Sequence, residues 1–310
     1  MWNPFTYFYD RFFVVRRDIQ NDPYHFLKGD GYEPFDADMK SIVDKQLAKP
    51  CEDVYVTSYD GLKLHARYYE RNPEAPTFLL FHGYRTHPFR DNAGLIAYCE
   101  EQNMNYLLCD HRGQGTSEGD CTTYGNQERF DVKTWCQWAV NRLGEDSVLY
   151  LGGASMGATS VLLSTELGLP ENVKAVVADC GFSSPDEIIV KVGKSLGFPA
   201  WFSHAVMKFI AKKYVGFDLD EVNTKIAMLS NTIPTLFIHG TGDNFVPMEM
   251  SRRAYESCVH LKPLQKDFLE IENAPHMMAY FYDPELYLSA VHVFLMVNAP
   301  EQAVDTTVKS

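Results

Sequence analysis

The sequence lacks the features that would tie it to an extracellular frame, a metal or a membrane span. Its seven cysteines (Cys51, Cys99, Cys109, Cys121, Cys136, Cys180 and Cys258) are odd in number, widely spaced and form no C-x-x-C pair. That excludes a disulfide scaffold or a zinc knuckle and reads as reduced thiols, hence a cytoplasmic protein. No H-E-x-x-H occurs, and His82 and His87 have no third partner nearby, so no metal is expected. A phosphate-binding glycine loop is missing too, and no cofactor is expected. No apolar run approaches the roughly 18 residues of a membrane span. The aromatic start, MWNPFTYFYDRFFVVRRD, is broken by Pro4, Asp10 and Arg11. It lacks the basic n-region and small-residue cleavage site of a signal peptide. Phe5, Phe8, Phe12 and Phe13 are instead expected to pack an N-terminal helix on the main domain, with interfacial membrane contact or a homodimer as competing uses. Positive charge is scarce: 28 lysines and arginines against 41 acidic residues leave −13. Such a surface disfavours nucleic acid and anionic membranes.

What is present is a regular rhythm. DVYVTS (53–58) and LKLHARYYE (62–70) alternate apolar and polar around Tyr59-Asp60-Gly61, the pattern of an antiparallel hairpin. Six short apolar runs follow: TFLLFHG (77–83), NYLLCD (105–110), SVLYLGGAS (147–155), VKAVVADCG (173–181), TLFIHG (235–240) and KDFLEIENA (266–274). Continuous apolar strands are buried on both faces, as in a parallel sheet. Helical patterns lie near 92–103, 128–143, 157–168, 249–259 and 284–297. The alternation predicts an α/β fold with a mostly parallel central sheet, helices on both faces and right-handed crossovers. Ligands in such sheets bind beyond the carboxyl ends of the strands.

Two stretches stand outside the rhythm. Residues 1–50 read as a helical leader with turns at Asn21-Asp22-Pro23 and Gly29-Asp30-Gly31, ended by Pro50. The main domain then runs over 51–310. Between the fourth and fifth of the six apolar runs lie about fifty residues, far more than an αβ connection needs. This insertion, at about 183–232, predicts a small helical cap over the strand ends. Phe198, Trp201, Phe202, Met207 and Phe209 would supply its apolar faces.

The chemistry-bearing residues follow three strands. Gly153-Ala154-Ser155-Met156-Gly157 is a G-x-S-x-G between a strand and a helix. There the serine takes a tight backbone conformation, and small neighbours let strand and helix approach. TLFIHG is followed by Thr241-Gly242-Asp243, and KDFLEIENA by Pro275-His276. A serine hydroxyl needs a base, and the base needs a carboxylate to fix its tautomer. Ser155, Asp243 and His276, each past a strand end and in that order, fit those roles. Backbone N–H groups of Tyr84, after His82-Gly83, and of Met156 would hold an oxyanion. His82 itself reads as structural. Asp179 is a weaker rival to Asp243. Arg85, Phe182, Trp201, Phe202, Phe245 and Met277 are expected to line the substrate pocket.

The motifs HGYR (82–85), DHRGQGTSEG (110–119), GGASMGA (152–158), GTGDNFVP (240–247) and NAPH (273–276) resemble the α/β-hydrolase superfamily across about residues 51–297. The closest likeness is to bacterial intracellular hydrolases with a small cap, esterases and serine aminopeptidase-like enzymes, with cinnamoyl (feruloyl) esterases as cousins. The resemblance implies an α/β-hydrolase fold. It implies a serine hydrolase that cleaves small-molecule carboxylic esters, medium acyl or hydroxycinnamoyl-type, through an acyl-enzyme. It also implies that Asp110 and Arg112 build a loop beside the site. An amide-cleaving aminopeptidase is the alternative, with Asp186 and Glu187 as anchors for a substrate amine. A non-catalytic binding protein is the third reading, disfavoured because all three site residues are kept.

Overall fold

The computed structural model describes residues 4–17 and 22–298. Asn21 of the first expected turn and residues 299–310 of the main domain lie outside the described residues. Eight strands form one sheet in the order β1-β2-β4-β3-β5-β6-β7-β8. The hairpin is β1 (Glu52–Thr57) with β2 (Lys63–Tyr69), and β2 continues antiparallel onto β4 (Asn105–Cys109). The pairings among β3 (Thr77–Phe81), β4, β5 (Leu149–Ala154), β6 (Val173–Asp179), β7 (Thr235–Gly240) and β8 (Lys266–Ile271) are all parallel. Gly61, at φ +94°, supplies the left-handed position that closes the hairpin.

The helices in chain order are α1 (Pro4–Phe12), α2 (Asp36–Ala48), α3 (Pro88–Asp91), α4 (Ala93–Glu101), α5 (Glu128–Leu143), α6 (Met156–Ser164), α7 (Pro185–Ser195), α8 (Ala200–Ile210), α9 (Thr224–Met228), α10 (Met248–Glu256), α11 (Ala279–Tyr282) and α12 (Pro284–Asn298). Among the described residues no helix is long and apolar enough to cross a membrane.

Side chains of β3 to β7 alternate between two cores, which is why those runs are largely apolar. In β3, Phe78 and Leu80 face the core shared with α2, α4 and α12, while Leu79 and Phe81 face that shared with α5, α6 and α10. Strands β4, β6 and β7 repeat the division. Each such side chain, taken from water, contributes roughly 1.5–3 kcal/mol.

A third apolar cluster lies past the carboxyl ends of the strands. It joins Met156 and Phe182 to Ile188 and Ile189 of α7, Met207 and Ile210 of α8, and Phe12 and Phe13 from the N-terminal stretch. Helix α7 starts on Pro185, with Ser184 Oγ accepting from Glu187 N–H at 3.2 Å. Helix α8 runs into a π turn over Ala211–Val215 and stops at Gly216 (φ +94°). The remainder of the insertion rejoins the sheet, with Val222, Ala227 and Met228 in the second core. The N-terminal fifty residues divide in the same way: α1 joins the overhanging helices, whereas Phe26, Met39 and Val43 join the first core.

Candidate active site

Ser155 sits between β5 and α6 at φ 54° and ψ −113°, a region an L-residue enters only when its surroundings force it. Two backbone bonds hold it there. Its N–H donates to Asp179 O at 2.8 Å, and its carbonyl accepts from Thr159 N–H at 2.9 Å. A Cβ on Gly157 would stand 2.1 Å from Phe81 O, so only glycine lets α6 lie this close to β3. The first N–H groups of α6, which have no partner within the helix, therefore start beside Ser155.

The loops after β5, β7 and β8 converge. Ser155 Oγ lies 2.9 Å from His276 Nε2, and His276 Nδ1 lies 2.6 Å from Asp243 Oδ2. The carboxylate only accepts, so Nδ1 carries the proton and Nε2 is the acceptor for the serine hydroxyl. All three side chains are buried. The β7 and β8 loops are tied by Thr241 N–H to Ile271 O (2.9 Å) and Gly242 N–H to Ala274 O (3.1 Å). A Cβ on Gly240 would meet Ala274 O at 2.1 Å, so this glycine brings Asp243 up to His276.

Asp243 is anchored on every side. Oδ1 accepts from the N–H groups of Phe245 (2.9 Å) and Val246 (2.8 Å). His239 Nε2 lies 3.3 Å from Oδ2 and 3.0 Å from Val246 O, two acceptors, so this nitrogen carries a proton. Sequence reading missed His239; its only signal was an inward-facing histidine inside an apolar strand. Burial pushes the Asp243 carboxyl up, but hydrogen bonds from His239 and His276 outweigh it and hold the group well below the ordinary carboxylate range. Asp179 is the opposite case: burial pushes it up to about 7. Cys180 is also close, its ligand atom within 4.8 Å of those of Asp243 and His276. Burial raises its thiol far above the usual range, so it stays protonated.

Tyr84 follows β3 on a loop pinned at both sides, by Gly83 N–H to Asp91 Oδ2 (2.8 Å) and by Arg85 N–H to Gln114 Oε1 (3.0 Å). His82 has both nitrogens engaged, Nδ1 with Gly83 O (2.8 Å) and Nε2 with the His111 N–H (3.2 Å), and burial lowers its pKa. Asp110 accepts from His65 Nδ1 (2.7 Å) and Thr116 N–H (3.1 Å), and Arg112 bridges Asp131 and Asp60. These bonds hold the loop beside the site and leave neither side chain facing it.

Above Ser155 opens a cavity of about 250 Å³. It is lined by Phe182, Ile188, Ile189, Val192 and Phe245 and by Tyr84, Tyr124, Phe12 and Arg11. Both tyrosine hydroxyls donate to Phe12 O, at 2.9 and 2.7 Å, so the rings line the cavity while their polar ends hold the N-terminal helix. Of the six expected pocket residues, Phe182 and Phe245 line this cavity. The other four do not. The Arg85 guanidinium is taken up by the carbonyls of Asp10, Arg11 and Val14. Trp201 points outward and is 72% exposed. Phe202 stacks on Phe198 beside a separate, much smaller cavity, and Met277 packs with Ala154 and Cys180. Sequence reading missed Phe12 and Tyr124, which come from segments over a hundred residues apart.

The sequence matches the family model described as alpha/beta hydrolase fold over residues 76–206. It is 29% identical to the uncharacterised protein YqkD of Bacillus subtilis over 192 residues, 62% of this chain and 62% of that one, so the chain spans less than two thirds of that relative. An esterase of Pyrococcus furiosus superposes with a TM-score of 0.64 at 25% identity, covering 81% of this chain and 92% of its own. Est1E of Butyrivibrio proteoclasticus, solved with ferulic acid bound, superposes with a TM-score of 0.57 at 19% identity, covering 78% and 97%. The chain has the α/β-hydrolase fold.

Proposed function

We propose that this chain is a serine hydrolase of carboxylic esters. The observation that carries the reading is the hydrogen-bonded line Ser155–His276–Asp243 beneath an apolar cavity. Ser155 Oγ attacks the ester carbonyl while His276 Nε2 takes its proton; Asp243 fixes the tautomer and supports the imidazolium. The backbone N–H groups of Tyr84 and Met156 receive the oxyanion, a contribution of roughly 2.7–4 kcal/mol per donor. His276 then protonates the leaving alcohol, and water releases the acyl group by the same route. The overhanging helices act as the cap. A cavity of about 250 Å³ walled by rings and branched side chains suits one medium acyl or arylacyl group, since pockets for drug-sized ligands run to roughly 300–1,000 Å³. The Pyrococcus esterase and the ferulic-acid-bound Est1E are consistent with that class. The two expected amine anchors are already engaged: Asp186 holds His204 and Glu187 holds Arg253.

Fluorophosphonate labelling and a panel of p-nitrophenyl esters, hydroxycinnamate esters and aminoacyl anilides test the reading. Wild type should label and Ser155→Ala should not. Ser155→Ala and His276→Ala should each lower kcat by about four to six orders of magnitude, and the double variant little further. Additive losses, or anilides turned over faster than esters, would sink it.

A further inference from the structure

The outer face of α1 and α8 exposes several aromatic rings. Trp201, Tyr7, Phe209 and Phe5 are 72, 52, 46 and 39% exposed. Ring contacts tie them to the two helices in two groups: Phe5 meets Phe209 at 5.4 Å, while Tyr7 meets Phe8 at 5.6 Å and Phe8 reaches Trp201 through Phe198 and Phe202. Cations accompany them. Lys213 lies over Phe209 at 5.3 Å and over Tyr214 at 5.1 Å, with Lys212 beside it, also exposed. Residues 4–17 and 185–216 together carry eight lysines and arginines against Asp10, Asp186 and Glu187, while the other segments carry twenty against thirty-eight. Of those three acids, Asp186 is held by His204 and Glu187 by Arg253. Asp218 and Asp220, just beyond, are taken up by Lys208.

We propose that this face docks on an anionic lipid surface. Rings with lysines at their margin fit a headgroup layer, where the aromatic bodies enter the boundary and the ammonium groups stay with the phosphates. A second copy of the chain fits badly, because a self-paired face would set its own cations against each other. The overall −13 does not forbid docking: charges more than about 8 Å from the contact are screened at physiological salt, so the local face decides. Helix α1 also supplies Arg11 and Phe12 to the cavity above Ser155, so docking sets the cavity beside the lipid. The docking itself does not depend on the catalytic reading.

Co-sedimentation of the full chain with phosphatidylcholine–phosphatidylglycerol vesicles, against phosphatidylcholine alone, tests this. The chain should pellet with the anionic vesicles at physiological salt and be released at high salt. Lys212→Glu/Lys213→Glu should lower partitioning by about tenfold or more, and Trp201→Ala/Phe209→Ala should weaken it as well. These four side chains do not line the cavity, so hydrolysis of a soluble p-nitrophenyl ester should be unchanged in both variants. Ser155→Ala should bind vesicles like wild type, which separates this proposal from the catalytic one. The proposal is overturned by absence of pelleting, by equal binding to neutral vesicles, or by a dimer in sedimentation velocity that Trp201→Ala/Phe209→Ala dissolves.

Discussion

Two buried carboxyl groups at neighbouring strand ends behave oppositely, and the difference is one of partners. Asp243 has four donors around it; Asp179 has an oxygen, Oδ1, with no hydrogen-bond partner among the described residues. Burial raises Asp179 to about 7, against roughly 3.9 for an unfolded aspartate. Between those values the folded chain binds more protons than the unfolded one, so stability falls as pH rises through that window. The full cost, on the order of a few kcal/mol, is reached above about pH 7. Asp179→Asn removes the ionisation. Its melting temperature should exceed that of wild type near pH 8, with the gain shrinking towards pH 4. A gain that is the same at both ends would mean Asp179 does not titrate there. Most activity should survive Asp179→Asn, whereas Asp243→Asn should abolish it. The reverse outcome would make Asp179 the acid of the proposed triad. At this scale the sequence was largely legible, because Ser155, Asp243 and His276 each lie one to five residues past the end of a strand. Of the four donors around Asp243 only His276 was, since two are backbone N–H groups and the other is His239, which reads as core.

Elements were legible where their partners are neighbours in the sheet and obscure where they are distant in the chain. Strands β3 to β7 follow from apolar runs, since burial on both faces leaves few polar positions, and β1 and β2 follow from alternation around the Gly61 turn. Arg85 shows the limit: its partners are carbonyls of the N-terminal stretch, and a carbonyl carries no residue signature. Trp201 shows another. A helix with apolar residues on more than one side has to expose some, and periodicity does not say which. The observed facing moves the expected control of acyl choice from Trp201 and Phe202 to α7 and Phe12. Val192, half-buried on the cavity wall, gives the test. Val192→Phe should lower the ratio of kcat/KM for long over short acyl esters by about tenfold, as one to three kcal/mol of pocket contact allows. Melting should be little affected. An unchanged ratio would place the acyl chain elsewhere.

At the scale of the molecule, the two cores on the faces of the sheet are built largely from successive βα units, whereas the third cluster forms only when remote segments meet. Phe13 is fully buried in it, 5.8 Å from the Tyr124 ring and 6.0 Å from that of Phe217. Val15 N–H donates to Asp120 O at 3.0 Å, and Arg17 donates to the carbonyls of Gly115, Ser117 and Gly119. The N-terminal stretch therefore clamps the loop beside the site and the overhanging helices at once. Such a cluster, resting on the sheet without interleaving with it, should open as its own unit. Removing a buried phenylalanine ring costs about 3–5 kcal/mol where it acts. Phe13→Ala should therefore accelerate amide exchange in α1, α7 and α8 by a large factor and leave β3 to β7 protected. Hydrolysis of esters that fill the cavity should fall more than that of acetyl esters, because the cavity wall is what loosens. Exchange in the sheet rising in step with that in α7 and α8 would show one cooperative unit, and the N-terminal stretch would then be a structural element of the whole domain and not a clamp on the overhanging helices.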